Sequence, residues 1–185
     1  DYIYTGLDAA DYTTCYIAID YTIECHGRHT EANNRDNKFI DMAVGDDIVC
    51  GINFYGEVHC SETSTFFVGG SSFSKIDLPS ERFATSIDSI NDHVCTILDD
   101  GSVMCWGNNV YGQLGDGTTT SSNIPVAVNL PAGRTATALA LGWQHSCAIL
   151  DDGSTMCWGL NAYGQLGDST NANSNTPVAV GLPAV

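Results

Sequence analysis

The sequence predicts an all-β fold: a β-propeller built from about four repeat units, each giving roughly one four-stranded blade with a disulfide-closed hairpin. Three observations carry that expectation. The eight cysteines fall into four pairs, Cys15/Cys25, Cys50/Cys60, Cys95/Cys105 and Cys147/Cys157, and the members of every pair are ten positions apart. The first cysteines of successive pairs are 35, 45 and 52 residues apart, a period that marks a solenoid, a propeller or an array. Short runs rich in β-branched and aromatic residues recur between turn signals, with no amphipathic helix among them.

The hairpin is clearest around Cys147 and Cys157. Asp151-Asp152-Gly153 reads as its turn, with Gly153 supplying the positive φ that a three-residue loop with a bulge requires. Counting outward from that turn pairs Leu150 with Ser154, Ile149 with Thr155, Ala148 with Met156 and Cys147 with Cys157. Facing residues of a non-hydrogen-bonded pair lie about 4.5 Å apart at Cα, within bridging reach of two sulfurs. Gly56 and Gly101 stand at the same offset from their first cysteine, whereas the first unit has Tyr21 there and is expected to turn differently. Zinc is the competing reading of the cysteines. Zinc sites usually present them in close C-x-x-C pairs, and here each partner lies across a turn, so disulfides and an oxidising compartment are favoured.

Taken in order, the units span about residues 1–36, 37–80, 81–131 and 132–185 of a single repeat domain. In the first, Tyr16-Ile17-Ala18-Ile19 and Tyr21-Thr22-Ile23-Glu24 have strand composition, and Tyr2-Ile3-Tyr4 aligns with the strand preceding each cysteine hairpin. The second carries Ile48-Val49-Cys50-Gly51-Ile52 against Glu57-Val58-His59-Cys60, then Phe66-Phe67-Val68 as a further strand candidate. The last two are the best formed. They share Trp106-Gly107 and Trp158-Gly159, the run Tyr-Gly-Gln-Leu-Gly-Asp at 111–116 and 163–168, and Pro-Val-Ala-Val at 125–128 and 177–180. Their Ser/Thr/Asn loops at 118–122 and 169–173 read as exposed surface.

Composition narrows the function classes. With 22 acidic and 6 basic side chains the formal charge is −16, which repels nucleic-acid phosphates and anionic membrane surfaces. No apolar run approaches the roughly 20 residues of a membrane-spanning helix, so neither nucleic-acid binding nor membrane insertion is expected.

The pattern Gly142-x-x-His145-Ser146-Cys147, Asp152-Gly153-Ser154, Trp158-Gly159-x-Asn161-x-x-Gly164-Gln165-Leu166-Gly167 closely resembles the regulator of chromosome condensation repeat. The resemblance covers the last two units, about 105 residues, and is faint in the first two. It implies a β-propeller, most often of seven blades. Members include a nuclear exchange factor for a small GTPase and a secreted bacterial inhibitor of β-lactamase, so fold does not carry function. A cysteine pair across every hairpin departs from the family pattern and suggests a secreted, disulfide-bonded branch.

The repeated residues Trp106, Gly107, Gln113, Leu114, Trp158, Gly159, Gln165 and Leu166 read as blade packing, because positions that recur in every repeat serve the interfaces between repeats. Tyr111 and Tyr163 suit either packing or a surface ligand. His93 and His145 are expected to satisfy local backbone groups, and no nucleophile elbow accompanies them. Asp99-Asp100 and Asp151-Asp152 belong to hairpin turns, and Asp116-Gly117-Thr118 lacks the ligand count of a calcium loop, so calcium is disfavoured and no cofactor is expected. The expected function is non-enzymatic and extracellular: structural assembly or surface recognition, with a filament or surface-layer subunit in view. The alternative is a secreted binding module or inhibitor that uses one propeller face. Assembly is expected at Tyr2, Tyr4, Val180 and Val185, where other copies or another protein would complete the arc.

Overall fold

The computed structural model describes residues 6–27, 37–46, 48–62 and 73–181. Within them fifteen strands form four antiparallel sheets, with no helix. Blade 1 holds β1 (Gly6–Ala10), β2 (Thr13–Ile17) and β3 (Ile23–Gly27). Blade 2 holds β4 (Phe39–Val44), β5 (Ile48–Asn53), β6 (Val58–Glu62) and the short β7 (Ser74–Lys75). Blade 3 holds β8 (Ala84–Ile90), β9 (His93–Leu98), β10 (Val103–Gly107) and β11 (Ser122–Ala127). Blade 4 holds β12 (Ala136–Gly142), β13 (His145–Leu150), β14 (Thr155–Gly159) and β15 (Ser174–Ala179). Each sheet is a meander in chain order, and the first strands β1, β4, β8 and β12 neighbour one another in succession. This is a four-bladed arc of β-propeller.

Turn chemistry sets the hairpin register. Cys147 faces Cys157, Ala148 faces Met156 and Ile149 faces Thr155, and the same alignment places Cys15, Cys50 and Cys95 opposite Cys25, Cys60 and Cys105. All four pairs are disulfide-bonded with Cα atoms 4.1 Å apart, and no cysteine is free. Gly56, Gly101 and Gly153 hold φ of 72°, 77° and 80°. The first hairpin departs from expectation, because its turn does not differ: Tyr21 adopts φ 66° and donates its N–H to the Ala18 carbonyl at 2.8 Å, as Gly153 does to Leu150 at 2.9 Å. The Asp20 carboxylate accepts the Thr22 N–H and hydroxyl, just as Asp152 accepts those of Ser154. That side-chain turn and the strand pairing hold a non-glycine residue in the left-handed region.

The strand that pairs with the first hairpin is β1; Tyr2-Ile3-Tyr4, Phe66-Phe67-Val68 and Val185 lie outside the described residues. β1 reads Gly-Leu-Asp-Ala-Ala, weak in strand formers, and takes its place by pairing across a two-residue turn with β2.

The core is layered between blades. Ile17, Ile23, Phe39, Met42 and Val49 fill the junction of blades 1 and 2; Ile52, Val58, Ile87, Val94 and Trp106 that of blades 2 and 3; Ile97, Val103, Leu114, Ala148 and Trp158 that of blades 3 and 4. The disulfides of blades 1, 2 and 3 belong to these layers, covered by the following blade.

Candidate functional site

Hydrogen bonds, close glycine contacts and an apolar layer meet at the junction of blades 3 and 4. The loop between β10 and β11 reaches over blade 4, where the Gln113 carbonyl accepts two hydrogen bonds: from the Trp158 indole Nε1 at 2.8 Å and from the Ser146 hydroxyl at 2.9 Å. His93 Nε2 lies 2.9 Å from the same hydroxyl. Since that hydroxyl spends its one proton on Gln113, His93 must donate from Nε2. Burial, with the nearby charge of His145 adding, lowers the His93 pKa from 6.5 to about 4, so the imidazole is neutral. Glycines let the loop approach this closely. A Cβ on Gly112 would meet the Asn175 Cα at 2.5 Å, and one on Gly115 would meet the Trp158 Nε1 at 2.7 Å. Asn175 closes the contact, donating from its side chain to the Gly117 carbonyl at 2.7 Å.

Within each of the two long loops a buried asparagine acts as the organiser. Asn109 Oδ1 accepts the Leu114 N–H at 2.9 Å while its Nδ2 donates to the carbonyls of Thr118 and Thr120 and faces Asp116. Asn161 does the same with Leu166, Thr170 and Asp168. Gln113 and Gln165 use their side-chain oxygens to accept the N–H of Tyr111 and Tyr163.

A third group sits on the first strands. Asp8, Asp41 and Asp88 each accept the N–H of their own following residue, and each reaches across to the next blade: Asp8 to Val44 at 2.7 Å, Asp41 to Ile87 at 3.3 Å, Asp88 to Leu141 at 2.8 Å. Burial raises all three pKa values, and the charge of Asp8 adds to the rise at Asp41 and Asp88. The three carboxylates stand on the first strands β1, β4 and β8, which neighbour one another in succession. Among the described residues no cluster of three His, Cys, Asp or Glu side chains is arranged to hold a metal ion.

Of the residues singled out in the sequence, Gln113, Trp158, Leu114 and Gly159 meet at the 3–4 junction. Trp106 is buried between blades 2 and 3, with no partner for its Nε1 among the described residues. Gly107 at φ 109° lies against the Asp92 carbonyl. Gln165 and Leu166 repeat the Gln113 geometry on blade 4 with no blade over them among the described residues, and Tyr163 is 91 % exposed while Tyr111 is half-buried. Val180 is half-buried in its own blade: it bonds the Thr155 carbonyl and packs over Gly167. Asp99-Asp100 and Asp151-Asp152 are turn residues, each pair forked by an arginine, Arg82 and Arg134. His93 serves a side chain of the next blade rather than local backbone, because Ser146 stands where only the folded junction puts it. The inner-strand aspartates and the two asparagines carried no such expectation. Only Asn161, quoted within the repeat pattern, hinted at the second group.

The comparisons with known proteins agree with this architecture. The regulator of chromosome condensation (RCC1) repeat model matches residues 100–149 and 152–184. RCC1-family repeats thus make up the third and fourth blades. Its relatives include the ultraviolet-B receptor UVR8 of Arabidopsis thaliana, 29 % identical over 103 residues, which are 56 % of this chain and 23 % of the receptor. Another is the human E3 ubiquitin-protein ligase HERC2, 26 % identical over 151 residues, 76 % of this chain and 3 % of the ligase. Among solved structures, Prp20p of Saccharomyces cerevisiae superposes with a TM-score of 0.80 at 20 % identity, over 96 % of this chain and 50 % of Prp20p. The chain thus spans less than a quarter of these curated relatives and half of Prp20p.

Proposed function

We infer that the chain is a non-enzymatic extracellular protein-binding module that acts in structural assembly, as a subunit of a filament or surface layer. One observation carries the reading: among the described residues, apolar side chains on the outer faces of blades 1 and 4 stand exposed. Leu7 of blade 1 is 74 % exposed, and Ile149 of blade 4 is 45 % exposed where its counterpart Ile97 is 4 % exposed under the next blade. Uncovered blade faces of a repeat protein are surfaces for another protein. Four disulfides support an oxidising compartment. The carboxylates on the first strands are engaged by backbone N–H groups, which gives them a structural task and supports a role without catalysis. Protein binding is known for the relative fold, since Prp20p is described with binding properties to Gsp1p and histones. HERC2 is a ligase, but the chain spans 3 % of it, and that activity is no part of this reading. Electron microscopy of the native material tests it. Rings or fibres are expected; free single particles with nothing bound would overturn it.

A second reading, a secreted module that captures a partner on one propeller face, has its own support. Tyr12, Val110, Trp143 and Tyr163 all stand exposed on the turns and loops at one end of the blades. Arginine placed at Trp143 and Tyr163 would then abolish capture of such a partner while leaving assembly intact.

A further inference from the structure

Resting on the assembly reading, we propose that a second copy of this chain docks blade 1 onto blade 4, so that copies join head to tail through a repeat of the internal 3–4 junction. The internal junction supplies the template. Blade 3 offers an imidazole Nε2 (His93), a loop carbonyl (Gln113) and an apolar wall containing Ile97; blade 4 answers with a hydroxyl (Ser146), a ring N–H (Trp158) and the apolar Leu139.

Strand register identifies the same positions elsewhere. His145 faces Gly159 as His93 faces Gly107, and Gln165 bonds Tyr163 as Gln113 bonds Tyr111. Blade 4 therefore presents the Gln165 carbonyl and Ile149 at the positions blade 3 uses, with no other blade over them among the described residues; His145 shares the register of His93 but is half-buried, its ring lying over Gly142 where blade 3 has Ile90. Gln113 is buried and Gln165 only partly so; a Cβ on Gly112 would strike Asn175 across the junction, whereas one on Gly164 would meet only its own loop, Asn171 at 3.3 Å.

On blade 1, Thr14 faces His26 as Ser146 faces Trp158, and Leu7 faces Tyr16 as Leu139 faces Ala148. Thr14, His26 and Leu7 are all exposed. The chemistry matches part by part. Thr14 brings the hydroxyl that the Gln165 carbonyl requires, and the His26 imidazole brings a ring N–H for the same carbonyl. Imidazole is smaller than indole, but Tyr16 stands where blade 4 has Ala148 and stacks on His26 at 5.7 Å, so the two rings together replace the bulk of Trp158. One link is missing: Ala140 occupies the position of Asp88, so the carboxylate tie between first strands is absent from this junction.

The two docking surfaces differ, so the contact is heterologous. It closes a ring if the rotation allows and otherwise continues as a fibre. The two faces are exposed in one and the same chain, so they do not cover each other.

Sedimentation velocity of the 185-residue chain tests the proposal with two exposed-site variants, Thr14→Arg on blade 1 and Ile149→Arg on blade 4. The wild type is expected to gain mass with concentration. Each variant alone is expected to be a monomer with the wild-type melting temperature. An equimolar mixture should form a two-chain particle and nothing larger, because each variant keeps the face the other has lost. Variants that assemble as the wild type does, or a mixture that stays monomeric, would overturn this junction and leave the assembly reading standing. A wild type that stays monomeric up to about 1 mM, the weakest affinity worth considering here, would overturn both.

Discussion

The indole of Trp158 donates its proton to the backbone oxygen of Gln113, 2.8 Å away and 45 residues earlier in the chain. Because both groups are buried, that bond and the packing around it should be separable by substitution. Trp158→Phe keeps a ring but leaves the Gln113 carbonyl with Ser146 alone; a loss of about 1–3 kcal/mol is expected. Trp158→Ala should lose about 3–5 kcal/mol. Denaturant titration of the two variants measures the difference.

His93 makes the junction sensitive to acid. Its folded pKa, about 4, is depressed below the 6.5 of an unperturbed histidine, so its contribution is complete above about pH 6.5 and is lost as pH falls toward 4. A gap of that size corresponds to about 3 kcal/mol. Asp8, Asp41 and Asp88 act in the opposite sense: their pKa values are raised, so their contribution is fullest below the ordinary carboxylate pKa of 3.8 and declines as pH rises through the folded values. His145, half-buried and also lowered by burial, adds to the acid sensitivity. His93→Gln retains an N–H for Ser146 and cannot titrate. Its melting temperature should fall less than the wild type's between pH 7 and pH 4, and an unchanged slope would assign the effect elsewhere.

The loop asparagines should behave as structural keystones. Asn109→Ala strips the Leu114 N–H and the Thr118 and Thr120 carbonyls of their partner inside the protein, and a loss of about 2–4 kcal/mol is expected. Hydrogen exchange at the Leu114 amide should accelerate together with the loop. Asn161→Ala should do the same at Leu166.

By contrast, the arginine forks should matter little. Arg134 reaches Asp151 at 3.4 Å and Asp152 at 3.1 Å, with all three side chains more than a third exposed. Arg134→Ala is expected to cost less than about 1 kcal/mol, and that difference should shrink further in high salt. Urea melts at two ionic strengths would reveal it.

What could be read from the sequence was local. A glycine six positions after a cysteine and a second cysteine four positions later define a turn and a register without reference to the rest of the chain, so the hairpins and the bridges follow from counting. Tyr21 broke that reading because a side chain does not announce φ; Asp20 and its bond to Thr22 hold the turn instead. The contacts between blades were less legible. His93 and Ser146 are 53 residues apart, and nothing near either one names the other. Nor do the first-strand carboxylates keep a constant offset. Asp8 and Asp88 each stand seven residues before their cysteine, Asp41 stands nine before Cys50, and blade 4 has Ala140, so no motif emerges from them. Asn109 lies in a Gly-rich run where asparagine reads as an ordinary loop residue, and only its burial exposes its role.

Every sulfur bridge stays inside its own hairpin, and this fixes the covalent topology of the molecule. Although all eight cysteines are used, no covalent bond other than the peptide backbone joins one blade to another. One backbone cut in any connection between blades would divide the chain into separable pieces even under fully oxidising conditions, held only by non-covalent contacts such as those of Trp158 and Ser146 and the backbone bond from Asp46 to Asn91. The same arrangement simplifies maturation. Each cysteine meets its partner ten residues later as the chain emerges, so the bridges can be laid down one hairpin at a time, without choosing among the 105 pairings open to eight thiols.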